Sequence, residues 1–254
     1  SFLAFYPHSS KANMRLMPCF FLFAAARAGV LRDWRSHGQL LDPELLSHSA
    51  ENETLIEKVN SMELPWRAKK YERWSHASLG EVQRMMGVLQ DEASEYALPS
   101  RQIDIGNLPE EFDWRTDPRS FGCPSLSEIR DQANCGSCWA FGSTEAMTDR
   151  LCIHKNVTTH LSSQDVTSCD HMGDFGCDGG VPSTAYAYYA VNGIVTGGNY
   201  GDKSGCYMYE LPPCAHHTNS TVYPPSPDEV RTPKCRRECD DEELSWKDEK
   251  IFGA

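Results

Sequence analysis

Cysteine is the residue whose distribution most limits how this chain folds. Ten of its 11 cysteines lie between Cys123 and Cys239, and the remaining one, Cys19, lies near the N-terminus. In an oxidising compartment, a cluster of this density is a disulfide framework first and a zinc site second. The interpretation of the cysteines therefore depends on the compartment that the protein enters.

The N-terminal residues predict that compartment. Residues 16–26 form an apolar run that follows two basic side chains and leads into an Ala-Arg-Ala cleavage pattern. A permanent membrane helix needs about 20 apolar residues, so this run is too short to be one. A buried helix is the alternative, but the combined features favour a signal peptide over residues 1–28, with residues 1–13 as an extension upstream of Met14. We expect a protein of the secretory pathway, in a lysosome, a vacuole or the extracellular space, with no membrane partner.

Charge excludes one further class of partner. The chain has 24 basic against 36 acidic side chains, a formal net charge of −12. Because phosphate binding needs a basic face, we expect no nucleic-acid partner. Three Asn-x-Ser/Thr triplets fit a secretory route and are candidate glycosylation sites, at Asn52, Asn156 and Asn219.

Apolar periodicity and cysteine usage divide the chain at about residue 107. Residues 29–107 contain two helical patterns, one in the sequence LLSHSAENETLIEKVN (residues 45–60) with Ser49 or Asn52 as a possible cap, and one over residues 79–89. A linker over residues 97–107 leads into the cysteine-rich region.

The cysteine-rich region begins with helices and continues as loops. A long helix is predicted from Trp139 to Ile153, with Cys138 in its first turn, and a second one opens at Pro182 and ends before Gly193. The residues that follow are rich in glycine and proline, and we expect them to form long loops held by disulfides.

The sequence RDQANCGSCWAFGS, residues 130–143, carries the strongest chemical signal. At a helix N-terminus, Cys138 meets the positive end of the helix dipole and unsatisfied backbone N–H groups, which favour the thiolate. Gln132 lies six residues earlier, so its amide and the backbone N–H of Cys138 are placed as two donors to an oxyanion.

A redox pair and a zinc site are the alternatives to a nucleophilic thiol. Cys135 and Cys138 are formally a C-x-x-C motif, but that motif belongs in a compact βαβ unit, which this pattern does not resemble. Histidines with zinc-finger spacing are lacking from the sequence, so we expect no metal and no cofactor.

Together these residues resemble a known enzyme family. The string Cys135-Gly-Ser-Cys138-Trp139, preceded by Gln132, is similar to the active-site sequence of papain-like cysteine peptidases. The segments LPEEFDWR, GCDGG and CYMYELPPCAHHTN resemble the mature N-terminus, the cleft wall and the occluding loop of the cathepsin B branch. The resemblance covers roughly residues 55–254.

This resemblance implies an α+β, papain-like fold with the left helical domain and propeptide present and the right β-barrel domain largely missing. It makes residues 29–107 an inhibitory propeptide that lies across the cleft and is cleaved near Asn107. Residues 108–254 become the N-terminal part of the peptidase domain, with the occluding loop at about 206–239. The implied partners are protein and peptide substrates, the chain's own propeptide and cystatin-type inhibitors.

The family pattern also implies roles for binding residues. Gly179 and Gly180 would pair with an extended peptide, although a disulfide-tight turn would also need glycine. His216 and His217 would accept a substrate's C-terminal carboxylate, with Asp131 as the ion partner of His216. Exposed loop histidines without a role are the alternative.

The implied disulfides leave Cys214 over. Ser226 stands where its partner would be, and Asp170 replaces a cysteine of a small disulfide beside Cys169. Cys214 is then either a free thiol or paired with something that the sequence does not contain. The implied pairs are Cys123–Cys152, Cys135–Cys177, Cys169–Cys235 and Cys206–Cys239.

A thiolate peptidase also needs an imidazole that protonates the leaving amine and an amide that orients the imidazole. In the family these lie about 130 to 150 residues beyond the nucleophile, and Ala254 comes before that distance is reached. We therefore expect a cathepsin B-like endopeptidase and peptidyl-dipeptidase zymogen that lacks the catalytic His and Asn and is inactive as this chain. The alternative is a truncated fragment or decoy that only binds peptides or inhibitors.

Overall fold

A computed structural model describes residues 47–62, 64–89, 108–216, 220–227 and 230–253, together with residues 102 and 106. These residues all belong to one compact unit, Leu46–Ala254. Within these ranges, no helix is both long enough and apolar enough to cross a membrane. Several predictions fall outside the described residues, namely the signal peptide, cleavage near Asn107, the role of His217 and the sequon at Asn219.

Two short helices precede the cysteine-rich region. Helix α1 spans Glu53–Asn60, and of the two predicted caps the chain uses Asn52, whose side chain accepts a backbone N–H of the first turn. Helix α2 spans Leu79–Met85 and begins with a capping box between Ser78 and Glu81. Side-chain caps in the sequence therefore set where both helices start.

Helix α2 ends four residues earlier than the prediction of a helix to residue 89, which is wrong at that end. Beyond Met85, Val88 forms a parallel β-bridge with Gly180. The Leu89 N–H donates to the Gly180 carbonyl oxygen at 2.9 Å. A long-range contact takes the backbone groups that a further helical turn would need.

The longest helix, α3, spans Cys138–Lys155 and ends at Asn156, which has the left-handed conformation (φ 57°) common at helix C-termini. Helix α4 spans Ser163–Cys169. Helix α5 spans Pro182–Val191 and opens with its proline as predicted. Both α4 and α5 pack against α3. Short 3₁₀ turns lie at Glu72–Trp74, Pro118–Ser120, Pro124–Ser127 and Gly176–Asp178.

The regular sheet of the described residues is small. Strand β1, Ile194–Val195, pairs antiparallel with β2, Lys250–Ile251, so that Ile194 faces Ile251 across the ladder. The described part of the chain is thus mostly helical. Its buried core includes Trp139, Ala140, Met147, Leu161, Val166, Ala185, Ile194, Val195 and Tyr207.

Disulfides join the loops to this core. They are the four pairs that the family pattern implied, and one of them ties Cys169, at the end of α4, to the loop after residue 230. Such links stabilise loops that have few regular hydrogen bonds, chiefly by constraining the unfolded chain. The pairs are Cys123–Cys152, Cys135–Cys177, Cys169–Cys235 and Cys206–Cys239.

Candidate active site

The Cys138 thiol lies at the N-terminus of α3. It is half-buried and takes part in no disulfide, whereas Cys135 is bonded to Cys177. The C-x-x-C sequence is therefore not a redox pair in this structure. Cys138 is therefore a free thiol at the first residue of α3, and the next residue, Trp139, is buried in the core.

Residues 85–89, which we call the cover segment, run over this thiol. The Gly87 N–H donates to Cys138 Sγ at 3.1 Å. The Gly180 N–H donates to the Gly87 carbonyl oxygen at 2.8 Å, and the Leu89 N–H donates to the Gly180 carbonyl oxygen. Backbone groups on both sides of the cleft are thus paired, with the sulfur beside them.

The amide of Gln132 faces the same segment. Its Nε2 donates to the carbonyl oxygen of Met85, in the cover segment, at 3.2 Å and to that of Cys135 at 2.6 Å. A side-chain N–H near the thiol thus already binds a carbonyl group of the chain that covers the thiol. This is the geometry expected of a donor to a substrate carbonyl.

Glycine is required where the two backbones meet. A Cβ atom at Gly87 would overlap the carbonyl oxygen of Gly136, and one at Gly180 would overlap the indole ring of Trp139. Gly179 has φ +109°, a conformation that side chains disfavour, and its Cβ would lie 2.9 Å from the Gly87 carbonyl oxygen. Close approach accounts for glycine at Gly180, and close approach together with a positive φ accounts for it at Gly179.

Hydrogen bonds fix the backbone of residues 176–181, which we call the cleft wall and which includes Gly180. The Trp139 indole N–H donates to the Gly176 carbonyl oxygen at 3.0 Å. The Val181 N–H donates to Asp174 Oδ1 at 2.7 Å. Together with the disulfide at Cys177, these bonds position the backbone that pairs with the cover segment.

Sequence reasoning missed a buried pair of carboxyl groups behind this wall. Asp170 and Asp174 lie near each other and are 1% and 8% exposed. Burial, followed by the nearby charge of Asp174, raises the pKa of Asp170 to about 7. Burial also raises the pKa of Asp174, whose Oδ1 accepts the Val181 N–H. Asp170 therefore still binds a proton at mildly acidic pH; the sequence had marked Asp170 only as a replaced cysteine.

The predicted partners His216 and Asp131 are in contact. His216 Nε2 lies 2.9 Å from each carboxylate oxygen of Asp131. Asp131 Oδ1 also accepts the Ala133 N–H at 2.7 Å. The contact ties the loop that begins near Cys206 to the residues just before the thiol.

The described histidines that contact carboxylates do so away from Cys138. His160 Nε2 lies 2.5 Å from Glu128, and His216 binds Asp131 as above. Within the described ranges, the side chains His, Cys, Asp and Glu form no group of three or more that could hold a metal ion.

Two of the candidate glycosylation asparagines are described, and both are exposed. Asn52 caps α1 with its side chain, and Asn156 caps the end of α3.

Comparisons with known proteins identify the family of this chain. The model of the family described as "Papain family cysteine protease" matches residues 108–252, which is more than half of the chain. Cathepsin B-like cysteine proteinase 6 of Caenorhabditis elegans is 40% identical over 227 residues, covering 83% of this chain and 59% of that protein. Cathepsin B-like cysteine proteinase 1 of Ostertagia ostertagi is 44% identical over 135 residues, covering 52% of this chain and 39% of that protein.

A solved structure shows the same fold. Procathepsin B S9 from Trypanosoma congolense superposes with a TM-score of 0.60 at 26% identity, covering 78% of this chain and 61% of that one. The chain spans about half the length of the curated relatives it matches. Its described part has the papain-like fold, and its disulfides together with these relatives indicate the secretory pathway. The chain therefore belongs to the papain family of cysteine proteases, and within that family it is cathepsin B-like.

Proposed function

We propose that this chain is a cathepsin B-like zymogen in which Cys138 is the nucleophile that attacks peptide carbonyl groups. One observation carries the proposal. A backbone segment of the chain itself lies across the thiol, with the Gly87 N–H on the sulfur and the Met85 carbonyl on the Gln132 amide. An extended peptide bound in the same place would present its own carbonyl groups to the same side chains.

The chemistry follows from these positions. When the Cys138 thiolate attacks a carbonyl carbon, negative charge develops on the carbonyl oxygen. The Gln132 amide and the Cys138 backbone N–H are the two donors that stabilise this oxyanion, and loss of one such donor typically costs about 10² to 10³ in rate. Breakdown of the intermediate then requires an acid that protonates the departing amine.

Turnover by these 254 residues alone is not part of the proposal. The carboxylate-bound histidines of the described residues, His160 and His216, have partners other than Cys138. We propose that this chain forms covalent adducts at Cys138 but needs a further imidazole for turnover.

The cover segment gives the zymogen its inhibition. Its backbone fills the hydrogen-bonding positions of Gly180, and its Gly87 N–H contacts the sulfur. A substrate can pair with Gly180 only after the segment has left, so cleavage between the segment and residue 108 would activate the enzyme.

The loop near His216 supports a second part of the activity. Its contact with Asp131 holds a basic side chain of the loop over the residues that precede the thiol. We propose that this loop, over about 206–239, accepts a substrate's C-terminal carboxylate, so that dipeptides are removed from C-termini. Internal cleavage of proteins then requires the loop to move. A lysosome, a vacuole or the extracellular space suits such an enzyme, and cystatin-type inhibitors would occupy the same cleft.

The test combines labelling with turnover. The 254-residue chain, in mild thiol reductant, is incubated with a peptidyl chloromethyl ketone and, separately, with a substrate that releases a dipeptide. We expect the label on Cys138, its loss in Cys138→Ala, and no hydrolysis. A label that persists in Cys138→Ala would contradict the assignment of the nucleophile. Hydrolysis that is abolished by Cys138→Ala would contradict the need for a further imidazole.

A further inference from the structure

Cys214 is a second free thiol of the described residues, and its sulfur lies near the ring of His216, which in turn contacts the carboxylate of Asp131. His216 Nδ1 lies 3.8 Å from Cys214 Sγ, and His216 Nε2 lies 2.9 Å from both oxygens of Asp131. From another direction, the Ser226 hydroxyl donates to the same sulfur at 3.2 Å. Residues from three separate parts of the chain thus converge on one thiol.

The carboxylate decides which nitrogen of His216 carries hydrogen. Because a carboxylate only accepts hydrogen bonds, Nε2 must hold the hydrogen that lies between the ring and Asp131. In the neutral ring Nδ1 is then an acceptor, and it faces Cys214. The ring is placed to take the thiol proton, and the charge of Asp131 stabilises the imidazolium that results.

The backbone of His216 is consistent with such a fixed role. Its φ of 48° lies in the left-handed region, which non-glycine residues seldom adopt. Outliers of this kind persist only where surrounding contacts hold them, and they cluster at functional sites. Here the contacts are those of the ring with Asp131 and Cys214.

We propose that Cys214 is a site of reversible modification by low-molecular-weight disulfides, with His216 as the base. His216 Nδ1 accepts the Cys214 proton, and the thiolate attacks one sulfur of the disulfide. A new S–S bond forms to Cys214 as the bond in the reagent breaks, and the departing thiolate takes the proton back from the imidazolium. The reagent is reduced to one free thiol, and Cys214 is oxidised to a mixed disulfide.

Disulfides are the reagent class that the molecule itself indicates. The four disulfides of the described residues require an oxidising compartment, where thiols meet low-molecular-weight disulfides. Metal binding is the other chemistry of Cys, His and Asp together, but these side chains are not spaced as a metal site anywhere in the described ranges. Thiol–disulfide exchange therefore suits the cluster best.

Access to Cys214 requires a local movement, because the residue is only 3% exposed. Residues 220–227 cover it, and their large apolar side chains face solvent, with Val222 77% and Tyr223 48% exposed. Hydrogen bonds that hold this stretch include the one from the Ala215 N–H to the Pro224 carbonyl oxygen at 2.8 Å and the one from Ser226 to Cys214. Segments with little buried apolar surface open at low free-energy cost, so we expect the sulfur to become reachable without global unfolding.

The experiment measures the rate at which glutathione disulfide modifies Cys214 in the Cys138→Ser chain. Peptide mapping by mass spectrometry locates the adduct, and the same chain unfolded in guanidinium is the reference. An unassisted thiol, with a pKa near 8.5, is only about 0.3% thiolate at pH 6. We expect the folded chain to react at least about tenfold faster at pH 6 than the unfolded one, a factor worth about 1.4 kcal/mol.

Paired variants separate the base from a structural effect. His216→Gln should lower the pH 6 rate to that of the unfolded chain. His160→Gln is the matched control, since His160 also binds a carboxylate, Glu128, but has no thiol among its described contacts. That control should leave the rate unchanged. If His216→Gln does not fold, the ratio of the folded to the unfolded rate in the Cys138→Ser chain decides alone. A folded chain that reacts no faster than the unfolded one at pH 6 overturns the proposal.

Discussion

The backbone N–H of Gly87 donates a hydrogen bond to the sulfur of Cys138 at 3.1 Å, although the two residues are 51 positions apart in the chain. The contact uses no side chain of the cover segment. The absence of a side chain is in fact a condition for it, since a Cβ at Gly87 would overlap the Gly136 carbonyl. Recognition between the segment and the cleft is therefore a backbone interaction that depends on one glycine.

Stability should fall as the pH rises through the range in which Asp170 titrates. Its pKa is raised to about 7 in the folded chain, whereas an aspartate in an unfolded chain titrates near 3.9. The folded state thus holds the proton more tightly, so the stabilisation is complete below about pH 4 and is lost as the pH rises toward 7, by at most about 1.4 kcal/mol per pH unit. Urea unfolding midpoints between about pH 4 and 8 measure this loss.

Asp170→Asn should flatten that dependence, because the amide is neutral at every pH. The control is Asp117→Asn. Asp117 pairs with Arg119 at the surface, which lowers its pKa to about 2. The control variant should keep the parent's slope over the same pH range. An Asp170→Asn chain with the parent's slope would contradict the raised pKa of Asp170 as the cause of the pH dependence.

Loss of Lys250 should strongly destabilise the folded chain. Its Nζ lies 3.1 Å from Asp165 Oδ2, and the Asp165 side chain is fully buried, so the variant Lys250→Met leaves a buried carboxylate without its counter-charge. The expected loss is about 3 to 5 kcal/mol in the free energy of unfolding. Lys247→Met, at an exposed position three residues before Lys250, should change the free energy of unfolding by less than about 0.5 kcal/mol. Equal effects of the two variants in urea unfolding would contradict this role of the ion pair.

Ser226→Cys should create a fifth disulfide in the described part of the chain. The Ser226 hydroxyl oxygen is 3.2 Å from Cys214 Sγ, so a sulfur at this position needs only a small adjustment to bond. Closing a loop of this length should add about 3 kcal/mol of stability in the chain-entropy model. Thiol titration of the unfolded Ser226→Cys chain should show one free thiol fewer than in the parent. Ser226→Ala is the control, and it should lower the free energy of unfolding by no more than about 1 kcal/mol. A titration that instead finds one thiol more than in the parent would mean that the two side chains do not meet.

Local signals explain which parts of the fold could be predicted. The cap at Asn52 and the proline at Pro182 mark helix starts through bonds made within a few residues. The cysteine pairing followed from a family pattern carried by short motifs. The C-terminal end of α2 could not be predicted, because Val88 continues a helical periodicity but is held by Gly180, far along the chain.

Some features of the candidate site could likewise be predicted from the sequence, and others could not. Cys138 and Gln132 stand in one short motif, so their proximity was predictable. The raised pKa values of Asp170 and Asp174 depend on how deeply these residues are buried, which has no local signature in the sequence. The contact of His216 with Asp131, 85 positions away, was implied by the family pattern, whereas the position of His216 Nδ1 beside Cys214 Sγ could be seen only in the folded chain.

The most direct test of the account is the rate at which Cys138 reacts with a peptidyl chloromethyl ketone in the Gly87→Ala chain. The added methyl cannot fit against Gly136, so the cover segment should leave the thiol. We expect labelling of Cys138 to be at least about tenfold faster than in the parent, a difference of about 1.4 kcal/mol in covering the cleft. Gly142→Ala is the matched control, because a Cβ there meets nothing within 4 Å, and its rate should equal that of the parent. Equal rates for Gly87→Ala and the parent would contradict a cleft closed by residues 85–89.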